Sequence, residues 1–263
     1  MTLLDVQGLA KSYSRKRSLL GKVIDRVDAV RDVSFTLGHG ETLSIVGESG
    51  AGKSTVGRLV LRLIEPDHGS IVLDGTDIRA MPRSALRSHR RHMQMIFQDP
   101  FSSLDPRVEI GRSIEEPMLL HLALSADERR ARALALLKRV GLDEAFAKRL
   151  PSGLSGGQLQ RVAIARALTL NPKLIVCDEP VAALDVSVRA QVLNLMAELQ
   201  EEFGMSYLFI SHDLSIVRAI SDRVAVMSKG QIMEIGETEQ IFSAPQNAYT
   251  AELVRAIPAM AYG

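Results

Sequence analysis

The stretch TLSIVGESGAGKST, Thr42 to Thr55, decides how the rest of the chain is read. Its first five residues, Thr42 to Val46, form an apolar run of strand length. They lead straight into Gly47, Gly52, Lys53 and Ser54, which match G-x-x-x-x-G-K-[ST]. Ser54 to Ile64 then has helical spacing, with Val56, Leu59, Val60 and Leu63 on one face. Strand, glycine loop and helix in that order make a phosphate cradle. The glycines let backbone N–H groups turn inward, and the helix N-terminus adds partial positive charge. Lys53 supplies a point charge for the β- and γ-phosphates of a nucleotide, and Ser54 a hydroxyl for Mg²⁺. The candidate binding loop is therefore Gly47, Glu48, Ser49, Gly50, Ala51, Gly52, Lys53, Ser54 and Thr55. A flexible glycine turn is the bland alternative, and the flanking strand and helix weigh against it.

Three further polar groups follow predicted strands. KLIVCDEP puts Asp178 and Glu179 at the end of a buried strand, where ligands sit in open parallel sheets. In that position Asp178 holds Mg²⁺ directly or through water, and Glu179 orients and polarises an attacking water. Taken alone, the pair also reads as an acidic turn. SYLFISHD ends in His212, a candidate contact to the γ-phosphate, although a lone histidine is more often a loop or core residue. Gln98, after MQMIF, is placed to reach Mg²⁺ or water. His89 and His92 have metal-like spacing, but no Cys or carboxylate cluster joins them, so RSHRRH reads as a solvated basic segment. LSGGQLQR, Leu154 to Arg161, is a second glycine-bearing anion-binding pattern, ahead of a helix expected over Gln158–Leu168. One nucleotide needs one cradle, so the second pattern suits a nucleotide held by another chain.

Composition bounds the setting. Of 263 residues, 46% are hydrophobic and 24% charged, as in an ordinary globular domain. The net charge of +1 offers no global electrostatic argument for a nucleic-acid partner. The one cysteine, Cys177, cannot form an internal disulfide and fits a reducing compartment. No apolar run reaches membrane-span length, and the N-terminus lacks the features of a signal peptide. The expectation is a cytosolic protein that meets any membrane through partners. Strands alternating with helices predict a mostly parallel, doubly wound α/β sheet. The finer expectations are short strands at Leu3–Val6 and Ala29–Leu37 with a basic loop-like segment between them, SYSRKRSLLGKVIDR. GSIVLDGTDI reads as strand, Asp74-Gly75 turn and strand. From Pro100 to Leu150 the pattern is mainly helical, with one helix capped at Ser125 and stopped at Gly141.

Taken in order, GESGAGKST, Gln98 in FQDP, LSGGQ, LIVCDEP, ALD at Ala183–Asp185 and His212 in SHD resemble the ATP-binding-cassette ATPases. LSGGQ is that family's own signature, and the resemblance covers nearly the whole chain. It implies an α/β fold: a RecA-like P-loop nucleotide-binding domain with an antiparallel β-subdomain and an inserted α-helical subdomain. Residues 1–97 are then the β-subdomain and the first part of the core, and 98–165 the Q-loop and helical subdomain. Residues 166–240 are the rest of the core, and 241–263 a C-terminal tail. The implied ligands are ATP and Mg²⁺. The implied assembly is a head-to-tail dimer with a second copy or a sister ATPase, two ATPs being sandwiched between the chains. Carried over by position, Tyr13 stacks on adenine and Gly47–Thr55 is the Walker A loop. Ser155, Gly156, Gly157 and Gln158 are the signature, and Asp185 belongs to the D-loop. Glu179, His212 and Gln98 are the catalytic set, and Ser54, Gln98 and Asp178 the metal set.

Within that family the chain is similar to the second-type ATPase of peptide and nickel importers. The similarity rests on the basic insert after Tyr13, on QDPFSSLDPR (Gln98 to Arg107) and on the tail SAPQNAYTAELVRAIP. It implies a subunit at the cytoplasmic face of the membrane that energises uptake of a small solute. Its partners would be two transmembrane permeases and, indirectly, an extracytoplasmic solute-binding protein. Phe101, Leu104 and Pro106 are the candidate surface for a permease helix. Asn247-Ala248 stands where that tail usually has His-Pro, and Ala182 where the D-loop often has serine. The alternative is a soluble cassette ATPase acting on DNA or ribosomes, but such chains usually carry two cassettes or a long coiled coil. Exporters are a third option and are usually fused to membrane helices.

Overall fold

The computed structural model describes residues 1–17 and 23–256. In chain order its regular elements are β1 (Thr2–Arg17), β2 (Val23–Gly38), β3 (Thr42–Val46), α1 (Lys53–Val60), β4 (His68–Leu73), β5 (Thr76–Asp77), α2 (Arg83–His89), β6 (Met93–Ile96), α3 (Ile110–His121) and α4 (Ala126–Arg139). They continue with α5 (Gly156–Leu168), β7 (Leu174–Asp178), α6 (Val186–Phe203), β8 (Ser206–Ile210), α7 (Leu214–Ile220), β9 (Arg223–Ser228), β10 (Gln231–Glu237), α8 (Thr238–Ser243) and α9 (Ala248–Arg255). The chain folds as two compact units, one of Met1–Pro82 with everything from Ser206 onward, the other of Arg83–Met205.

The first unit holds an antiparallel sheet, in the order β2-β1-β4-β5. It also holds β3, which pairs in parallel with β8 on one side and β9 on the other, while β10 runs antiparallel to β9. Every residue of β3 and β8 is buried. That is why both read as continuous apolar runs, as strands covered on both faces do. Val46, Leu214, Val217, Val224, Val226, Ile241 and Phe242 form one core cluster, on which Tyr249, Leu253 and Val254 of α9 pack. Each such side chain contributes roughly 1.5–3 kcal/mol when fully buried.

Two expectations for this unit need correction. The segment expected as a basic loop carries strand pairing onward: Ser12 faces Asp28, Tyr13 faces Val27, and Arg17 faces Val23. Neighbouring antiparallel strands satisfy each other's backbone groups whatever their side chains, so charge alone does not make a loop. Ser12 Oγ and Asp28 Oδ1, 2.7 Å apart, add a polar cross-strand pair. The middle of that segment, residues 18–22, lies outside the described residues. The helix expected to run to Ile64 stops at Val60. Arg62 takes a left-handed backbone, φ 49°, and its Nη1 donates to Ile78 O at 3.0 Å and Met81 O at 2.6 Å. Satisfying those carbonyls ends the helix before its apolar spacing does.

Asn247 has a clear structural task. Its side chain caps α9 by accepting from Tyr249 N at 2.9 Å, as asparagine does well. Its own N–H donates to Glu234 Oε2 at 3.0 Å, while Glu234 Oε1 accepts from Gln246 N at 2.9 Å and Gln240 Nε2 at 3.1 Å. One carboxylate thus gathers the whole turn between α8 and α9.

In the second unit β6 and β7 pair in parallel, and the segment between them is mainly helical. Ser125 and Glu128 form a reciprocal capping box on α4, with two of the helix's orphan N–H groups satisfied. Gly141, φ 75°, follows the last turn as a left-handed stop. α5 is tied on two sides. Arg166 bonds Ser113 O and Glu116 of α3, and Arg161 bonds Val140 O and Gln191 of α6. Of the surface proposed from sequence, Phe101 is 46% exposed and Pro106 is exposed, but Leu104 is 6% exposed and belongs to the core. The turn of Pro100 to Leu104, closed by Leu104 N to Phe101 O, folds that leucine inward.

Burial would raise the Glu234 carboxyl, but the backbone N–H groups of Gln246 and Asn247 help to outweigh it and hold it below the ordinary 4.5. Its stabilisation is therefore complete above that ordinary value and is lost as pH falls through the lower folded one. Glu234→Gln is expected to lower stability by about 1–2 kcal/mol at neutral pH. The difference from wild type should close in acid. Melting curves across pH check this, and a pH-independent difference would contradict it.

Candidate functional site

The glycine loop in the first unit is shaped by what its glycines lack. β3 ends at the fully buried Val46 and the chain turns at Gly47, φ 147°. A Cβ at Gly47 would lie 2.0 Å from the Met227 carbonyl oxygen of β9. At Gly52, φ 103°, it would lie 2.2 Å from the Ala29 carbonyl oxygen of β2. Both the angle and the contact exclude any other residue. Gly230 N donates to Ala51 O at 3.0 Å, and Arg31 N donates to Gly230 O at 2.7 Å, which pins the loop to the β9–β10 turn. Gly52 is also the N-cap of α1, with no capping side chain and no acid in the first turn. An N-cap without a side chain and a first turn without an acid are what an anion-binding helix terminus requires.

Lys53 is 5% exposed, and its Nζ donates to Gly47 O at 2.7 Å and Glu48 O at 2.9 Å. The ammonium is arched over the loop, and the carbonyls offset the cost of burying it. Ser49 and Gly50 lie at the exposed crest, and Gly50, φ 81°, has open space where a Cβ would go. In the same unit Tyr13 is 41% exposed, with Lys11 Nζ 5.8 Å from its ring centre. Lys11 is held in turn by Asp67 at 2.9 Å and Glu65 O at 2.8 Å, and Asp67 Oδ2 accepts from Ser12 N. The bond from Lys11, then that from Ser12 N, holds the Asp67 carboxyl below the usual carboxylate range. His212 follows β8 and is exposed. It lies between Ser211, whose N donates to Ile45 O, and Asp213, which caps α7 by accepting from Ser215 N and Ile216 N.

The second unit holds the acidic pair. Asp178 ends β7 and is 4% exposed. Glu179 follows with a left-handed backbone, φ 49°. That conformation costs a non-glycine residue roughly 1–2 kcal/mol. Ala182 N donates to Glu179 O at 3.2 Å, which closes the turn. Gln98 Nε2 donates to Glu179 Oε2 at 3.2 Å, so two of the residues singled out from sequence meet across 81 positions. Asp185 is the N-cap of α6 but makes no side-chain capping bond. Burial first, then the charge of Asp178, pushes the Cys177 thiol far above its ordinary range, so it stays an inert core thiol.

The signature is also a helix start. Ser155 Oγ accepts from Gln158 N at 3.4 Å, and Gln158 Oε1 accepts from Ser155 N at 2.9 Å. This reciprocal box begins α5 at Gly156, two residues before the expected start. His89 and His92 have ring centres 5.2 Å apart, and His92 Nε2 accepts from Arg91 Nε at 3.1 Å. Sequence reasoning missed the left-handed Glu179, the Met227 and Ala29 carbonyls behind the loop, and the anchoring Asp67. Only Asp67 carried a signal, as an acid beside a strand whose Lys11 it pairs.

The model of the ABC transporter family matches residues 30–182, more than half of the chain. The chain belongs to the ABC transporter family. It has the fold of that family's ATPase cassette, a RecA-like P-loop domain. It is 32% identical to the ATP-binding cassette MJ0796, whose dimeric post-hydrolysis structure holds ADP and Pi, with a TM-score of 0.80 over 90% of this chain and 99% of that one. It is 28% identical to cbiO1 of Clostridium perfringens, part of the ABC transporter complex cbiONQ, with a TM-score of 0.80 over 99% of this chain and 97% of that one. The glutathione import ATP-binding protein GsiA of Pectobacterium atrosepticum is 52% identical over 97% of this chain, and that of Escherichia coli K12 is 51% identical over the same share. The chain spans 41% of the length of those curated relatives. No helix among the described residues is long and apolar enough to cross a membrane.

Gly47→Ala is expected to destabilise the fold by about 3 kcal/mol, since the new methyl meets backbone that cannot rotate away. Gly50→Ala, with open space around it, should lose only about 1 kcal/mol to backbone strain. Chemical denaturation of the two variants checks the contrast, and equal losses would contradict it.

Proposed function

We propose that this cassette is the ATP-hydrolysing subunit of an importer for a small, peptide-like solute. The observation that carries the hydrolytic part is the bond between Gln98 Nε2 and Glu179 Oε2. Glu179 orients water and accepts its proton, and Gln98 holds the carboxylate oxygen in place. Lys53 exchanges its loop carbonyls for phosphate oxygens, and the loop N–H groups take the remaining phosphate charge. Tyr13 stacks on the adenine. His212 contacts the γ-phosphate and stabilises charge as it is transferred.

The donor set fits Mg²⁺. The Ser54 hydroxyl, the Gln98 amide oxygen and the buried Asp178 carboxylate are hard oxygen ligands of the kind that ion takes. When bound, it would neutralise charge on the β- and γ-phosphates. Residues 1–97 and 166–240 supply the nucleotide core, 98–165 the coupling and signature segment, and 241–263 the importer-type tail. Ser155, Gly156, Gly157 and Gln158 serve a γ-phosphate held by a second cassette, either a copy or a sister chain, in a head-to-tail pair. Two transmembrane permeases receive the motion at the cytoplasmic face of the membrane. The importer reading is supported by the similarity to GsiA, a protein named for glutathione import.

Glu179→Gln tests the catalytic assignment. It keeps the shape and the Gln98 contact but cannot take a proton. ATP binding should persist, turnover should fall by roughly 100-fold or more, and a closed dimer should accumulate in size-exclusion chromatography with ATP. Turnover at the wild-type rate would remove Glu179 from its role.

A further inference from the structure

One side chain outside any motif, Val188, limits where the signature helix can sit. Gly157 lies in the first turn of α5, and a Cβ there would lie 2.4 Å from Val188 Cγ1 and 3.7 Å from Val188 Cβ. Gly157 is not among the positive-φ glycines, so the demand is for space and not for backbone freedom. A Cβ at Gly156 would meet only Leu184 Cδ2 at 3.6 Å, an ordinary contact. Val188 is β-branched and sits in the first turn of α6, where one rotamer is strongly preferred, so it cannot swing aside. The start of α5 is therefore seated directly on the start of α6.

α6 is in turn continuous with the acidic pair. Ala182 N bonds Glu179 O, Leu184 N bonds Val181 O at 3.2 Å, and Arg189 Nη2 bonds Leu184 O at 3.3 Å. A short chain of contacts runs from Glu179 through Leu184 and Val188 to Gly156 and Gly157. We propose that Val188 is a positioning residue for ATP turnover: it sets the signature helix in register with Glu179 within one chain. Glu179 acts on the nucleotide held by its own chain, and the signature faces the nucleotide of its partner. The Val188 seat thus makes one chain's two half-sites share a frame. This inference rests on the reading of the signature given above. Val188 itself touches no ligand, and Gly157 is small because Val188 stands beneath it.

The test uses the full chain with Gly157→Ala, Val188→Ala, the double variant and Val188→Ile. Turnover at saturating ATP, affinity for an ATP analogue and amide exchange in the first turn of α5 are measured. Gly157→Ala should lower kcat by roughly tenfold, the scale of one contact's coupling. Affinity at the chain's own loop should stay unchanged, and adding Val188→Ala should restore most of the loss. A purely structural role would move melting temperature without this split or this rescue. If Gly157→Ala does not fold, Val188→Ile adds bulk to the same seat and should lower kcat in the same way. A double variant no faster than Gly157→Ala overturns the role of Val188 while leaving the signature reading intact. Exchange that shifts and recovers as expected, with turnover indifferent throughout, overturns both.

Discussion

The Met227 and Ala29 carbonyl oxygens leave no room for a side chain at Gly47 and Gly52, and the rest of the molecule is arranged around that fact. The loop lies against two backbones, and within it Ala51 N donates to Glu48 O at 3.2 Å. β9 and β2 must sit where they do for this to happen, and both are fixed by pairing: β9 beside β3, and β2 beside β1. The fully buried β3 is the common reference. The shape of the loop is a property of three neighbouring strands as much as of its nine residues.

Much of this was legible in the amino-acid sequence, for a physical reason. Buried parallel strands must be apolar along their whole length, so TLSIV, KLIVCD and SYLFI announce themselves, and the residue that follows each is placed at a strand end. The α4 cap at Ser125 is marked by Glu128 three residues on. The β1–β2 ribbon was misread because its pairing is carried by backbone, and charged residues hide it. Leu104 was misplaced because neighbours in a turn need not share a face. The left-handed Glu179 and the Val188 seat left no trace, since each depends on what packs beside it.

The two glycine patterns look alike in sequence and differ in physics. Gly47 and Gly52 need positive φ and a backbone neighbour, whereas Gly157 needs only the space that Val188 takes. The first pattern is the proposed phosphate cradle. The second brings a helix terminus, capped by Ser155 and Gln158, down onto the frame that carries Glu179. Small residues there serve precision of placement first, and exposure to an anion second. The tail follows the same logic, with one carboxylate, Glu234, setting the turn that α9 leaves from.

On the proposed reading, the chain holds ATP at its Gly47–Thr55 loop and uses Ser155–Gln158 on a nucleotide held elsewhere. Equilibrium binding of a fluorescent ATP analogue, with turnover followed in parallel, tests it most directly in the Lys53→Ala and Ser155→Arg variants. Lys53→Ala should lose binding, and Ser155→Arg should bind as the wild type does while turning over little ATP. Loss of binding in Ser155→Arg, or its retention in Lys53→Ala, would contradict it.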